Sequence, residues 1–155
     1  MKKVKYYFLI TGFILSLSFA AAGQAIEEKE GIYYKEGKPY TGSLTENYPD
    51  GKLKTELFLK EGMKNGKVKI YSETGQLTEI RSFKMNEMHG KWFVFNEEGI
   101  KTSLAGYKNG QKEGKWMIWN DNGTLLYMLY YSKGNKTGTW KSFNDRGELV
   151  NQRKY

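Results

Sequence analysis

Glycine recurs with a period of 24 residues, and this feature constrains the fold more than any other. One series occupies the same position in five successive units: Gly42, Gly66, Gly90, Gly114 and Gly138. A second series has the same spacing: Gly51, Gly75, Gly99, Gly123 and Gly147. A fixed period of roughly 20–50 residues is the signature of a repeat protein, in which each unit packs mainly against its neighbours. The chain is therefore expected to form a short array of similar units.

A third series supports the same alignment although one of its members is not glycine. It runs through Gly62, Gly110 and Gly134, with Asn86 at the remaining position. Asparagine tolerates a positive φ angle better than most residues, so it is a conservative replacement for glycine in a turn. We expect a left-handed residue at each of these positions.

Aromatic and aliphatic residues repeat with the same period. One column consists of Val68, Trp92, Trp116 and Trp140, and the next of Tyr71, Phe95, Trp119 and Phe143. A third column consists of Leu59, Phe83, Tyr107, Tyr131 and Tyr155. We assign the glycines Gly66, Gly90, Gly114 and Gly138 and the tryptophans Trp92, Trp116 and Trp140 to the structural framework of the repeat.

Each unit has the pattern of a β-hairpin. Residues 90–95 are rich in aromatic and β-branched side chains and are too few for an ordinary helix. Residues 96–99 have the composition of a tight turn, and residues 100–107 follow as the return strand. Pairing of successive hairpins predicts an all-β fold, an antiparallel hairpin meander that forms a single twisted or half-pipe sheet.

The repeat domain is expected to cover residues 26–155. It begins with an irregular half-unit at residues 31–41, preceded by a disordered lead-in at residues 27–30. Four full units follow at residues 42–65, 66–89, 90–113 and 114–137, and a truncated unit occupies residues 138–155. The half-unit departs from the period by one residue, as a terminal cap would.

Residues 1–25 have the three parts of a secretory signal peptide, here expected as a helix. Lys2, Lys3 and Lys5 are followed by an apolar stretch from Phe8 to Phe19 and by small residues up to Ala25. This stretch is shorter than the roughly 20 residues of a membrane-spanning helix. We expect export through the Sec pathway to the periplasm, the cell surface or the medium, with cleavage after Ala25 or, alternatively, Ala22. An uncleaved membrane anchor is the other interpretation.

The rest of the composition argues against an enzyme. The chain has no cysteine, which excludes disulfides, thiolate metal sites and cysteine nucleophiles. His89 is the only histidine, and its sister positions carry unrelated residues. The acidic residues Glu73, Glu97, Asp121 and Asp145 occur once per unit at the turns, as turn preference alone predicts. We expect no catalytic site, no cofactor and no metal site.

The aromatic columns are the best candidates for binding. Trp92 and Phe95 are three residues apart, so alternation along a strand places their columns on opposite faces of the sheet. One face is expected to pack, and exposed aromatic residues on the other usually indicate a binding site. The candidate binding residues are Tyr71, Phe95, Trp119, Phe143, Tyr107 and Tyr131.

The units share a pattern that begins with Gly-Lys-Trp and continues with an aromatic residue, with Gly-x-Leu and with a further aromatic residue and glycine. This pattern resembles the variant MORN repeat. Matching steps begin at Gly66, Gly90, Gly114 and Gly138, and the resemblance covers residues 31–155. It is greatest to the repeat of bacterial proteins called YwqK-family antitoxins. The resemblance implies an elongated antiparallel sheet that serves as an interaction surface without catalytic residues.

These observations predict an exported scaffold that binds another protein, in one form an antitoxin or immunity protein. The alternative is an envelope module that binds a glycan or an anionic lipid. It is suggested by the aromatic columns and by a formal charge of +8, which becomes +5 when the three leader lysines are removed. Nucleic acid is not expected as a partner of an exported protein.

Overall fold

The computed structural model describes residues 25–155, and over this range all regular structure is β-strand. The signal-peptide helix expected at the start of the chain therefore lies outside the described residues. No helix in the described part of the chain could cross a membrane. The strands are, in chain order, β1 (Ile26–Lys29), β2 (Ile32–Lys35), β3 (Lys38–Pro39), β4 (Gly42–Asn47), β5 (Leu53–Lys60), β6 (Met63–Lys64), β7 (Gly66–Tyr71), β8 (Leu77–Lys84), β9 (Glu87–Met88), β10 (Gly90–Phe95), β11 (Lys101–Lys108), β12 (Gln111–Lys112), β13 (Gly114–Trp119), β14 (Leu125–Ser132), β15 (Asn135–Phe143) and β16 (Leu149–Lys154).

The predicted antiparallel meander is confirmed. A full unit consists of a six-residue strand, an eight-residue return strand and a two-residue strand, as in β4, β5 and β6. Thirteen strands form one open sheet, whose main path is β4-β5-β7-β8-β10-β11-β13-β14-β15-β16. The two-residue strands β6, β9 and β12 pair with the end of the preceding return strand.

Two kinds of turn repeat along the sheet, and both require left-handed residues. Within each hairpin, a glycine such as Gly75 donates its N–H to the carbonyl of Ser72 at 2.9 Å, with a φ of 87°. The register shifts beside each of these turns, as expected for a type I turn with a glycine bulge. After each return strand, two consecutive left-handed residues lead into the next strand, and Asn86 is one of them with a φ of 67°. The replacement of glycine by asparagine inferred from the sequence is thus confirmed.

Hydrogen bonds between the second kind of turn tie one unit to the next. Asn86 N donates to the carbonyl of Lys64, and Gly110 N donates to that of Met88, each at 2.9 Å. The same bond links Gly134 N to Lys112 O. The donor and acceptor are always separated by 22 residues in the sequence. The turns of successive units therefore form a regular row at the same ends of the strands.

The N-terminal residues correct two predictions. The sequence predicted a single sheet and a disordered lead-in at residues 27–30. Both predictions are wrong, because β1, β2 and β3 form a separate three-stranded sheet. The polar sequence of β1 gives no apolar signal, but its backbone pairs with β2 across the turn at Gly31. We call residues 26–39 the N-terminal meander.

The N-terminal meander packs on one face of the large sheet. Tyr33 is only 7% exposed and lies in a cluster with Leu57, Leu59 and Val68. Tyr33 N also donates to the carbonyl of Gly62 at 2.9 Å. The meander therefore packs on residues of the first two units.

Candidate functional site

An aromatic ladder runs along the face on which the N-terminal meander packs. The ring centroids of successive members lie 4.7–5.4 Å apart, within the range of favourable aromatic contacts. Its members, in spatial order, are Phe83, Trp92, Tyr107, Trp116, Tyr131, Trp140 and Tyr155. We call this side of the sheet the ladder face.

Each tryptophan of the ladder is fixed in the same way. The indole N–H of Trp92, Trp116 and Trp140 donates to a backbone carbonyl ten residues earlier, at 2.9–3.0 Å. Buried indoles need such a partner, and for these three tryptophans the return strand of the preceding unit supplies it. Trp116, in the centre, is only 4% exposed. The three tryptophans are thus held against the sheet by the same bond.

Basic side chains lie over the rings of the ladder. Lys112 Nζ is 4.7 Å from the centroid of Trp116 and 4.9 Å from that of Tyr131. Lys136 Nζ, 24 residues later, is 4.6 Å from Trp140 and 5.0 Å from Tyr155. These are cation–π distances, so the lysines contribute both packing and positive charge to the C-terminal half of the ladder face.

Burial alters the acid–base properties of this face. The pKa of Tyr107 and that of Tyr131 are raised because burial disfavours the phenolate. Under the N-terminal meander, burial and the nearby carboxylates of Glu46 and Glu28 raise the pKa of Tyr33 to about 12. Burial also raises the pKa of Glu46, against the opposing effect of Lys54 and Lys64.

The opposite side of the sheet, which we call the open face, carries an apolar row across five strands. Cross-strand partners share a face, and register links Ile80 to Phe93, Leu104 to Met117, and Met117 to Met128. Phe93 also pairs with Leu104, which makes the row continuous. We call these five residues the apolar row: Ile80, Phe93, Leu104, Met117 and Met128. All five side chains are half-buried.

Polar residues limit the apolar row at both ends. Glu56 and Lys69 pair at the N-terminal end, where they also form an ion pair. Lys141 and Gln152 pair at the C-terminal end. The N-terminal meander lies on the other face, so among residues 25–155 no strand covers the apolar row. It is an apolar strip in a polar frame.

The second aromatic column lies beside the apolar row. Phe95 stacks on Phe93 with a centroid distance of 6.4 Å, which places it on the open face. Lys101 Nζ lies 6.0 Å from the ring of Phe93 and 4.6 Å from that of Trp119, so Trp119 shares this face. Tyr71 and Phe143 occupy the equivalent bulged positions of their units.

A shallow hollow of about 410 Å³ continues the open face toward the C terminus. Met128, the last member of the apolar row, forms part of its wall. Its lining residues are Met128, Tyr130, Gly138, Thr139, Lys141 and Gln152. The Tyr130 hydroxyl lies 3.3 Å from Met128 Sδ. The hollow could accept one side chain of a ligand that lies along the row.

The six binding residues suggested by the sequence lie on two faces. Tyr71, Phe95, Trp119 and Phe143 lie on the open face, whereas Tyr107 and Tyr131 belong to the ladder. The apolar row was not identified from the sequence. Its signal is present, because the positions of Phe93 and Met117 carry lysine in the flanking units, at Lys69 and Lys141.

The residues considered for chemistry lie apart. His89 Nδ1 is 3.2 Å from Asn109 Oδ1, in an exposed contact between turns. Asp121 and Asp145 are exposed at successive hairpin turns. Within residues 25–155, no group of three or more histidine, aspartate and glutamate side chains is placed to hold a metal ion.

Comparison with known families identifies the repeat. The family described as the MORN repeat variant matches residues 40–61, 64–85 and 112–133. These segments contain the hairpins β4–β5, β7–β8 and β13–β14, which are therefore MORN-type repeats. The hairpins β10–β11 and β15–β16 have the same strand pairing in the structure. None of the curated proteins matches the sequence.

Proposed function

We propose that this MORN-type repeat protein is an exported scaffold without catalytic activity that binds another protein along the open face of its sheet. MORN repeats are commonly modules of interaction with proteins or membranes. The observation that carries the proposal is the apolar row, which no strand of the described chain covers. Contiguous apolar surface inside a polar frame is typical of protein interfaces.

The dimensions of the open face suit such an interface. The apolar row crosses five strands, which at about 4.8 Å between strands corresponds to a length of about 19 Å. Phe95 and Trp119 add aromatic surface beside it, and aromatic residues are enriched among those that dominate binding energy. The partner would therefore present an apolar strip to the row, with one side chain directed into the hollow beside Met128.

The proposal can be tested with crosslinking at two neighbouring positions of β14. Met128 lies on the open face, and Tyr127, which is 38% exposed, lies on the ladder face. A photo-crosslinking amino acid at position 128, introduced into the full-length gene in the native host, should give one defined adduct. The same amino acid at position 127 serves as the control. Equal adducts from both positions, or an adduct at 128 that survives Met117→Asp, would contradict binding along the apolar row.

Export is supported by the leader pattern of residues 1–25, with its three lysines, its apolar stretch and its small residues. It can be tested by cell fractionation and by determining the N-terminal residue of the mature protein. The proposal predicts an N terminus at Ile26 in an extracytoplasmic fraction. Intact Met1 in the cytoplasm would contradict it.

The resemblance to the antitoxin group makes a toxic protein one class of partner for the open face. An exported protein would meet such a toxin outside the cytoplasm, so its role would be that of an immunity protein. Survival of cells challenged with toxins of neighbouring strains, with and without the gene, tests this form of the proposal. Loss of protection on Met117→Asp would assign protection to the open face.

A second candidate function is the binding of an anionic glycan or lipid, favoured by the basic side chains of the ladder face. Lys112 and Lys136 lie directly over the ladder, where sugars or acyl chains could contact the rings and anionic groups the lysines. Tryptophan fluorescence during titration with anionic polysaccharide and with acidic vesicles tests it. The double variant Lys112→Gln and Lys136→Gln should then lose the response, and a flat response of the wild type would exclude this function.

A further inference from the structure

Within residues 25–155, the two outermost strands of the large sheet are of different kinds, and each pairs with a neighbouring strand on one side only. The sheet begins with β4, a six-residue strand, and ends with β16, the counterpart of a return strand. All six residues of β16 are exposed, including Leu149 at 51% and Val150 at 66%. Unpaired edges of this kind present backbone donors and acceptors to another strand.

Every junction between units inside the sheet joins these same two kinds of strand. The return strand of one unit pairs with the six-residue strand of the next, as β5 does with β7 and β8 does with β10. β11 pairs with β13, and β14 with β15, in the same manner. We infer that β16 of one molecule pairs with β4 of a second molecule, so that copies of this chain associate head to tail and continue the sheet.

The internal junctions define the register of this association. On the return strands the paired residues advance by 24, through Glu56, Ile80, Leu104 and Met128, and the next position is Gln152. On the six-residue strands the corresponding series is Lys69, Phe93, Met117 and Lys141, and the position that precedes it is Thr45. Gln152 of one copy therefore pairs with Thr45 of the next.

The backbone of both strands is oriented for this pairing. Tyr155 N donates to the carbonyl of Gly138 at 2.9 Å, so Tyr155 directs its backbone groups toward β15. Because the direction alternates along an antiparallel strand, Gln152 directs its N–H and C=O to the unpaired edge. Thr45, at the equivalent position in β4, does the same. Both residues are exposed in the single chain.

The aromatic ladder would also continue across the junction. Tyr155 ends the ladder, lies 4.7 Å from Trp140 and is 41% exposed. The position after it in the series belongs to Leu44, which lies 24 residues before Val68. Leu44 of a second copy would therefore cover the outer side of the Tyr155 ring.

The ends of the chain carry opposite charge, which favours this arrangement over pairing of like ends. Residues 26–50 contain six acidic and three basic residues, a formal charge of −3. Residues 133–155 contain six basic and two acidic residues, a formal charge of +4. Pairing of two β16 strands would bring two basic ends together. Pairing of β16 with β4 instead brings a basic end beside an acidic end, and the two attract each other.

Head-to-tail association uses the edges of the sheet and leaves the apolar row of the open face uncovered. The inference therefore does not depend on the proposed binding of a partner along the apolar row. Such an interface joins two different surfaces and does not close on itself, so it produces chains of molecules whose length increases with concentration.

Two proline variants test the junction. Thr45→Pro and Gln152→Pro each remove one N–H from an unpaired edge, where proline is tolerated. Sedimentation velocity on protein purified after expression of the full-length gene should show concentration-dependent association of the wild type. Each variant alone should lose species larger than a monomer, while Thr45→Val and Gln152→Val, which keep the N–H, should retain them.

A mixture of the two proline variants gives the most specific result. Each variant keeps the edge that the other lacks, so the mixture should form a heterodimer that cannot extend further. A wild type that stays monomeric at all concentrations would overturn the inference. Association that persists in both variants, or a mixture that remains monomeric, would also overturn it.

Cysteine crosslinking provides a second measurement if a proline variant fails to fold. The natural chain has no cysteine, so Thr45→Cys combined with Gln152→Cys should give a ladder of disulfide-linked species on mild oxidation. Thr45→Cys combined with Lys154→Cys, which is out of register, is the control. Equal crosslinking of the two pairs would contradict the register.

Discussion

Replacement of Gly62 by alanine is expected to detach the N-terminal meander from the large sheet. A Cβ atom at Gly62 would lie 2.6 Å from Ile32 Cγ2 and 2.7 Å from the carbonyl oxygen of Tyr33, both closer than real contacts allow. Gly110 is its matched control. It occupies the same turn position with a φ of 75° against 74°, but its Cβ would meet nothing within 4 Å.

Both variants lose free energy of unfolding because alanine is strained in the left-handed region. Only Gly62→Ala loses more, because it also displaces the N-terminal meander. Alanine in the left-handed region costs about 1–2 kcal/mol at either position. At Gly62 the displaced meander also loses the burial of Tyr33, about 1.5–3 kcal/mol, and hydrogen bonds of about 1 kcal/mol each. Gly62→Ala should therefore lower the free energy of unfolding by about 2–4 kcal/mol more than Gly110→Ala.

Urea unfolding followed by two signals can measure this difference and locate it. All four tryptophans lie between residues 92 and 140, so their fluorescence reports on the C-terminal units, whereas circular dichroism reports on the whole sheet. Gly62→Ala should shift the dichroism transition more than the fluorescence transition. Equal destabilisation by the two variants would refute the close packing of the meander against Gly62.

Three further predictions concern single side chains. Because burial raises the pKa of Tyr33 from 10.0 in an unfolded chain to about 12, its contribution to stability should be complete below pH 10 and lost as the pH rises through 12. Tyr33→Phe should weaken this alkaline loss of melting temperature. Trp116→Ala should lower the free energy of unfolding by about 3–5 kcal/mol. Trp140→Ala, nearer the end of the ladder, should lower it by less, and denaturant titration measures both free energies. Asn86→Gly keeps the turn but removes hydrogen bonds to Lys64 N and Gly31 O, and should cost about 1–2 kcal/mol by the same titration.

The sequence was sufficient to predict the antiparallel hairpins because each column of residues has a local physical cause. The second glycine series ends the hairpins, and the turn at Asn86 was recognised because asparagine tolerates a positive φ. Alternation along a strand placed Trp92 and Phe95 on opposite faces, as the structure has them.

Features that depend on contacts between distant residues could not be predicted in this way. β1 pairs with β2 although its segment is polar and has no apolar pattern. Glu27 and Glu28 therefore gave no strand signal. Tyr107 joins the ladder because its strand register brings it beside Trp92 and Trp116, which the period alone does not specify. The apolar row likewise becomes a row only when register aligns Phe93 with Ile80 and Leu104.

The proposed division of the sheet into a packed ladder face and a partner-binding open face is tested most directly at two neighbouring residues of β13. Trp116 lies on the ladder face and Met117 on the open face. The measurement is the free energy of unfolding together with the yield of the adduct formed by a crosslinker at position 128. Met117→Asp should stay within about 1 kcal/mol of the wild type and lose the adduct. Trp116→Phe should lower stability and keep the adduct while the chain is folded. A Met117→Asp variant that unfolds, or that keeps the full yield of adduct, would contradict the account.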